Sequence, residues 1–354
     1  MRRDHAVTPP PDGSERLATP AAADPVAKGD CEWRPSRSPE RQGRPRPLRR
    51  TRRPGIRSWV TVAMTAMVLL PAAGCERSSP GPSRAAQTSP PTRIVSVVPA
   101  VTEMLFAIGA GPLVVGVGSY DTWPPEVRSL PKIGALLDPD IERIIGLRAD
   151  LAVLHGSQDD VRAQLERVGI RTFSYTLGGL DNVMGTMRRL GTLVGREREA
   201  EEAARGLERR LEALKQRAAG RPRPRTLLVF GHDPGTLRSI DASGGIGFLH
   251  DIVELVGGEN VYRGERRESL RVSTEAIIAA APEVIIDLRY GHSVSEEELK
   301  REREAWNVLP AVPAVRAGRV YVLGGDRFVV PGPRVVDAAE EIARVIMSGG
   351  EVAR

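Results

Sequence analysis

The chain predicts an α/β protein of two Rossmann-like lobes with central parallel sheets, joined by a single long backbone helix. Three observations carry that prediction. Short apolar runs such as RIVSVV (Arg93–Val98) and Leu113–Ser119 alternate with helical patterns, as strands covered on both faces require. The alternation stops near residue 180 and restarts near 221. Between the two sets lies a charged run, Arg196–Gly220, in which Ala200, Ala203, Ala204, Leu207, Leu211, Leu214 and Ala218 recur at steps of three and four. That spacing gives one apolar stripe on an otherwise solvated helix. At ~1.5 Å per residue the run reaches about 36 Å, enough to cross from one lobe to another.

The first lobe, residues 93–179, is assigned strands Arg93–Val98, Leu113–Ser119, Asp150–His155 and Ile170–Tyr175. Its helices fall near Val101–Ile108, Asp138–Leu147 and Asp159–Val168. Pro99 opens the first of these, and Gly109-Ala110-Gly111-Pro112 closes it. Residues 180–220 form the bridge: a segment Leu180–Val194, then the charged helix, ended by Gly220 with Pro222 and Pro224 beyond. The second lobe, 221–354, has strands Thr226–Gly231, Val284–Leu288 and Arg319–Leu323. Its helices are Gly245–Val256, Ser273–Ala281, Ser295–Trp306 and Arg334–Met347. The cluster Gly244–Gly247 lacks the spacing of a phosphate-binding loop and is read as the opening of a helix.

The ends of the chain read differently. Residues 1–58 hold 14 Arg/Lys against 7 Asp/Glu, leaving 37 against 38 for the rest. The basic balance therefore belongs to the leader and gives no support for nucleic-acid binding. Ten of the 29 prolines also lie there, so residues 1–58 are expected to be disordered; an extension and an upstream start codon fit equally. Trp59–Leu70 is a twelve-residue apolar run behind five arginines, followed by Pro71-Ala72-Ala73-Gly74-Cys75. A basic stretch, a short apolar core and small residues are the parts of a secretory signal. The sixteen residues from Trp59 to Gly74 fall short of the ~20 a spanning helix needs. Ala-Ala-Gly-Cys resembles a bacterial lipobox, although Ala72 stands where leucine is commonest. Residues 59–75 are thus a lipoprotein signal, Cys75 the lipidated residue, and the Ser/Pro/Gly-rich 76–92 a flexible tether. Cleavage there removes Cys31, the only other cysteine, so the exported domain would hold no disulfide.

Ligands of open α/β sheets sit against strand carboxyl ends. The candidates at such positions are Tyr120, Trp123 and His155 in the first lobe, and Phe230, His232, Asp326, Arg327 and Phe328 in the second. Aromatic faces suit a large flat ligand, and an arginine suits a carboxylate or phosphate. His155 and His232 are either cargo-metal ligands or hydrogen-bonded strand-end histidines. His250 reads as structural and His292 as uninformative. No H-x-H or H-x-x-x-H spacing exists, so no resident metal or other cofactor is expected. Neither G-x-S-x-G nor a paired Cys/His constellation is present, so no enzymatic role is assigned.

The segment RIVSVVPAVTEMLFAIGAGPLVVGVGSYDTWPPE (Arg93–Glu126) resembles the start of the helical-backbone periplasmic binding proteins that serve cobalamin, haem and ferric-siderophore importers. The likeness is nearest to cobalamin-binding members, whose opening strand, P-x-x-T-E turn and Tyr-Pro-Pro loop match Pro99–Glu103 and Trp123–Pro125. It extends over about Arg93–Met347. It implies a monomeric, lipid-anchored receptor facing the periplasm or cell exterior, which hands a metal chelate to an ABC permease and ATPase. Cobalamin or a related corrinoid is the first-choice cargo, a ferric siderophore or haem the alternative, and a non-transport sensing lipoprotein a third reading. In the family one acidic residue per lobe docks on permease arginines; Asp159, with Asp160 beside it, and Glu275 match those positions. The same residues also serve simply as first-turn acids that complement a helix dipole. Two departures imply a leaner pocket: His155 lies where cobalamin binders tend to carry tryptophan, and Gly264–Leu270 lacks a family tryptophan.

Overall fold

The computed structural model describes residues 89–291 and 294–347. The leader, the apolar run, Cys75, nearly all of the tether and His292 lie outside the described residues. No described helix is long and apolar enough to cross a membrane.

The first lobe is built on β1 (Ile94–Ser96), β2 (Val114–Val117), β3 (Leu151–His155) and β4 (Arg171–Tyr175), all parallel in the order β2-β1-β3-β4. The apolar runs become these strands because each is covered on both sides: every residue of β1 is buried, as are the first four of β3. The crossovers are α1 (Pro99–Ala107), α2 (Ile141–Gly146) and α3 (Asp159–Arg167). Pro99 stands at the first position of α1, where its missing N–H costs nothing. Helix α2 is shorter than its sequence pattern because Asp140, not Asp138, caps it, accepting from the Arg143 amide at 2.9 Å.

The bridge resolves into two helices, α4 (Leu180–Val194) and α5 (Glu197–Ala218), separated by Gly195 at φ 69°. They fold back on each other. Arg188 reaches Glu201 at 2.6 Å and Glu208 at 2.8 Å, and a Cβ placed on Gly191 would stand 2.4 Å from that of Ala200. The absent side chain at Gly191 is what lets the two backbones approach. The 22-residue α5 is the long member, about 33 Å at 1.5 Å per residue, and its Arg210 pairs with Asp337 and Glu340 of the last helix of the second lobe.

The second lobe contains β5 (Arg225–Gly231), β6 (Ile240–Ser243), α6 (Phe248–Leu255), β7 (Glu259–Asn260), β8 (Ser269–Val272), α7 (Thr274–Ala280), β9 (Val284–Arg289), α8 (Glu296–Ala305), α9 (Pro313–Arg316), β10 (Val320–Gly324) and α10 (Val335–Met347). Here the parallel part, β10-β9-β5, is the part the sequence predicts. The sheet as a whole is mixed: β6 and β8 extend it in antiparallel register, and β7 joins β5. The β5, β9 and β10 runs hold two layers apart. Leu227, Val229 and Ile285 pack with Trp306 and Leu309 on one face. On the other, Leu228, Ile286 and Leu288 join a core that continues through α6 and α10 into the first lobe. One hydrophobic core thus runs across the lobe boundary, beneath the mouth formed by the strand ends.

Candidate functional site

The carboxyl ends of β2, β3 and β4 carry three loops of the first lobe, and those of β5, β9 and β10 carry three of the second. Where they meet, a cavity of about 520 Å³ is lined by Ser119, Asp121, Thr122, Trp123 and Lys132 from one side and Gly291, Gly325, Asp326 and Arg334 from the other. A second, more apolar cavity of about 230 Å³ sets Leu177 of the first lobe against Phe230, Ile246, Phe248 and Val329 of the second. Two side-chain contacts close the gap at one end. Thr122 Oγ1 donates to Asp326 Oδ2 at 3.1 Å, and Arg334 grips Glu103 through Nε (3.1 Å) and a terminal nitrogen (2.5 Å).

Tyr120 and Trp123 stand out from the β2 loop, 67% and 44% exposed, large areas for aromatic side chains. Trp123 lines the larger cavity, with the Arg334 guanidinium 5.1 Å from its ring centre. Asp326 lines the same cavity and accepts from the Gly291 amide at 3.1 Å. Phe230 lines the apolar cavity. His155 is half-buried at the end of β3, its Nδ1 2.9 Å from Ser157 Oγ. Tyr290, 63% exposed after β9, adds an aromatic ring that the sequence pattern did not single out.

Three predicted ligand residues are placed elsewhere. Phe328 is fully buried in the core beneath the cleft, so it supports the wall and offers no face to a ligand. Arg327 turns back onto Glu341 of α10 at 2.5 Å and stacks on Phe328. The His232 side chain has no exposed surface. Its Nε2 lies 2.7 Å from Asp287 Oδ2, which also accepts from Trp306 Nε1 at 3.0 Å. Burial acts to lower the His232 pKa, but the Asp287 hydrogen bond and charge outweigh it and hold the imidazole above its ordinary value. Arg289 and Glu302, paired at 2.5 Å, complete this network under a polar hollow of about 590 Å³. Position at a strand end predicts which end of the sheet a residue occupies, not whether it points to the mouth or the core.

Sequence reasoning also missed three residues of the mouth. Glu103 lies within the P-x-x-T-E turn, yet its partner Arg334 is 231 positions away, a pairing that spacing does not reveal. Asp121, beside the two aromatics, is 3% exposed. Neither of its carboxyl oxygens has a hydrogen-bond partner among the described residues. Burial pushes its pKa up to about 7, while the nearby Thr102 hydroxyl and Lys132 ammonium offset only part of that rise. Burial likewise raises the carboxyl of Glu103, against the pull of Arg334.

Asp159 and Asp160 are exposed in the first turn of α3, and Glu275 is exposed in the first turn of α7. Asp159 carries a surface pair to Arg162 at 2.7 Å. The Glu275 carboxyl is held below its usual range by hydrogen bonds from the helix-start backbone and from Ser273. Among the described residues no group of three or more His, Cys, Asp or Glu is gathered as a metal site.

Comparison with known proteins follows the same outline. A family profile described as periplasmic binding protein matches residues 94–326. A vitamin B12-binding protein of Salmonella choleraesuis is 28% identical over 256 residues, covering 72% of this chain and 90% of the relative. An uncharacterized ABC transporter substrate-binding lipoprotein of Bacillus subtilis, YvrC, is 26% identical, covering 72% and 80%. Among solved structures, the periplasmic vitamin B12-binding protein BtuF of Vibrio cholerae superimposes with a TM-score of 0.63 at 24% identity, over 74% of this chain and 99% of that one. The haem-binding protein RhuT of Roseiflexus superimposes at 0.61, also at 24% identity, over 73% and 99%. The two-lobed architecture is common to both.

Proposed function

The chain belongs to the periplasmic binding protein family, as a substrate-binding protein of an ABC importer, and from that premise we propose that it captures cobalamin or a related corrinoid between its lobes. The observation that carries the cargo is the mouth itself. Trp123 lines the larger cavity opposite a wall bearing Asp326, and Tyr120, exposed three residues before it on the same loop, adds a second aromatic ring at the strand end. A broad ring system buries much apolar area against such faces at little entropic cost, while peripheral amides find carboxylate and backbone acceptors. The vitamin B12-binding relatives support the same choice. On this reading Cys75 carries the lipid anchor, and the receptor works as a monomer on the outer face of the membrane. Asp159, with Asp160, and Glu275 set its register on the permease and its ATPase.

The second reading is a haem or a ferric siderophore. Half-buried His155 is what favours it, because an imidazole at the carboxyl end of β3 is a ligand type that suits iron. The test is a titration of the full chain with cyanocobalamin, haemin and ferric siderophores, followed by cargo absorbance and tryptophan emission. Saturable binding of cyanocobalamin, weakened in Trp123→Ala, is the expected result. Saturation by haemin alone, lost in His155→Ala, replaces the corrinoid with haem. No saturation by any of them removes both.

A further inference from the structure

The wall of the larger cavity is lined by three cations, and their partners differ. Lys132 Nζ donates to the Asp121 carbonyl at 2.9 Å, and Arg128 is exposed at the rim. Arg334 is held by a carboxylate from the opposite lobe. Its side chain is 19% exposed and that of Glu103 only 3%, so the pair sits in a shielded, low-dielectric position. The contact is a two-pronged fork, which fixes the plane of the guanidinium as well as its distance. That plane lies over Trp123, and both Arg334 and Trp123 line the larger cavity and a smaller one of about 270 Å³ behind it. Space for the carboxylate is provided by Gly332, where an added Cβ would stand 2.8 Å from Glu103 Oε2.

We propose that Glu103 is a specificity-determining positioning residue: it clamps Arg334 against Trp123 from across the lobe boundary and neutralises it. At Trp123 the mouth then presents an aromatic face to an amide-bearing ligand, with Arg334 withheld from a carboxylate-bearing one and Arg128 left as the exposed cation at the rim. The inference rests on the cleft being the ligand site. Removing the Glu103 charge leaves a shielded guanidinium unpaired, and the nearest compensation is an anionic group brought in by ligand. Haemin carries two carboxylates, whereas cyanocobalamin carries neutral amides around its corrin and a single phosphodiester in its nucleotide loop, so the two probes differ in the anionic charge they bring to a freed guanidinium.

The experiment uses the full chain with Glu103→Gln and, as a gentler perturbation, Gly332→Ala, which crowds Oε2 without removing the charge. Acrylamide quenching, taken as the difference from Trp123→Phe, reads the accessibility of Trp123 without any ligand. Dissociation constants for cyanocobalamin and haemin read the selection. In both variants Trp123 is expected to become more accessible. In Glu103→Gln the haemin-to-cyanocobalamin preference should shift by roughly tenfold towards haemin, the size of one charge-assisted hydrogen bond. Unchanged accessibility and unchanged preference in a folded variant overturn the proposal, since a purely structural pair would move only the melting temperature. If Glu103→Gln does not fold, Gly332→Ala decides alone through Trp123 accessibility. If neither probe saturates the unmodified chain, the specificity claim falls with the ligand reading, and quenching still decides whether Glu103 positions Trp123.

Discussion

Asp121→Asn is expected to stabilise the protein at alkaline pH and to do little in acid. The carboxyl of Asp121 is buried without a hydrogen-bond partner among the described residues, and its pKa is about 7 against an ordinary 3.8. A raised carboxyl pKa means that the folded state holds a proton the unfolded chain has released. Stability contributed by the neutral acid is therefore complete below 3.8, declines as pH rises through the interval, and is fully lost above 7. At about 1.4 kcal/mol per pH unit, the span of roughly three units amounts to about 4 kcal/mol. Partial opening of the loop hydrates the carboxylate, so this is an upper bound. Asparagine keeps the shape and carries no charge. Urea denaturation of the two proteins at pH 4 and pH 8.5 measures the difference directly: near zero at the first, and up to about 4 kcal/mol in favour of the variant at the second. A stability gap that does not widen with pH would refute the assignment of a buried acid whose neighbours only partly offset its desolvation. A gap that narrows would mean that the carboxylate is better satisfied in the folded state than in water.

Three further outcomes follow from the contacts described. Asp287→Asn should cost about 3–5 kcal/mol in urea denaturation, because a buried carboxylate bonded to both His232 and Trp306 is broken at one partner. It should also flatten the loss of stability expected of the parent as pH climbs past the ordinary histidine range, since His232 is held above that range by Asp287. Gly191→Ala should cost about 1–3 kcal/mol by forcing α4 and α5 apart, and Ala200→Gly in the same chain should recover much of it. Asp159→Arg and Glu275→Arg, both at exposed first-turn positions, should leave the protein folded and ligand binding intact, at the cost of a small drop in melting temperature from reversed charge at a helix start. In cells they should abolish uptake; normal uptake in the double variant discards the docking assignment.

What could be read in advance follows from how locally each feature is encoded. The strands β1, β3, β5 and β9 announce themselves because burial on both faces demands a short apolar run, set apart from the longer Trp59–Leu70 run by its length and by the helical patterns that flank it. The edge strands β6 and β8 do not. IDAS and SLRV are four residues each, with too little apolar periodicity to stand out from a loop. The bridging helix was legible from its stripe, but the turn at Gly195 that folds α4 back on α5 depends on Gly191 meeting Ala200, a contact no stripe predicts. Tyr120 and Trp123 follow β2 and are exposed, as their place in the sequence suggests. His232 directly follows β5 yet points inward, since a strand end is where alternation becomes ambiguous, and Phe328 points inward because it closes a 3-10 turn, Asp326–Phe328, beyond the end of β10. Glu103 and Arg334 escaped because charge pairs across a lobe boundary leave no periodic trace.

The crossing contacts have a mechanical consequence. Besides the Glu103 fork and the Thr122–Asp326 bond, Asp251 at the start of α6 accepts the Leu180 amide at 2.9 Å, where the bridge leaves the first lobe. With α5 pinned to α10 at its other end, the jaws are braced at several separate points and have little free travel. A vessel with rigid jaws fills by diffusion into an aperture that already fits, and it empties slowly unless something pulls on it. Unloading then becomes work done from outside: under the docking proposed above, force enters through the α3 and α7 helices, and the energy to part the lobes comes from the partner that grasps them.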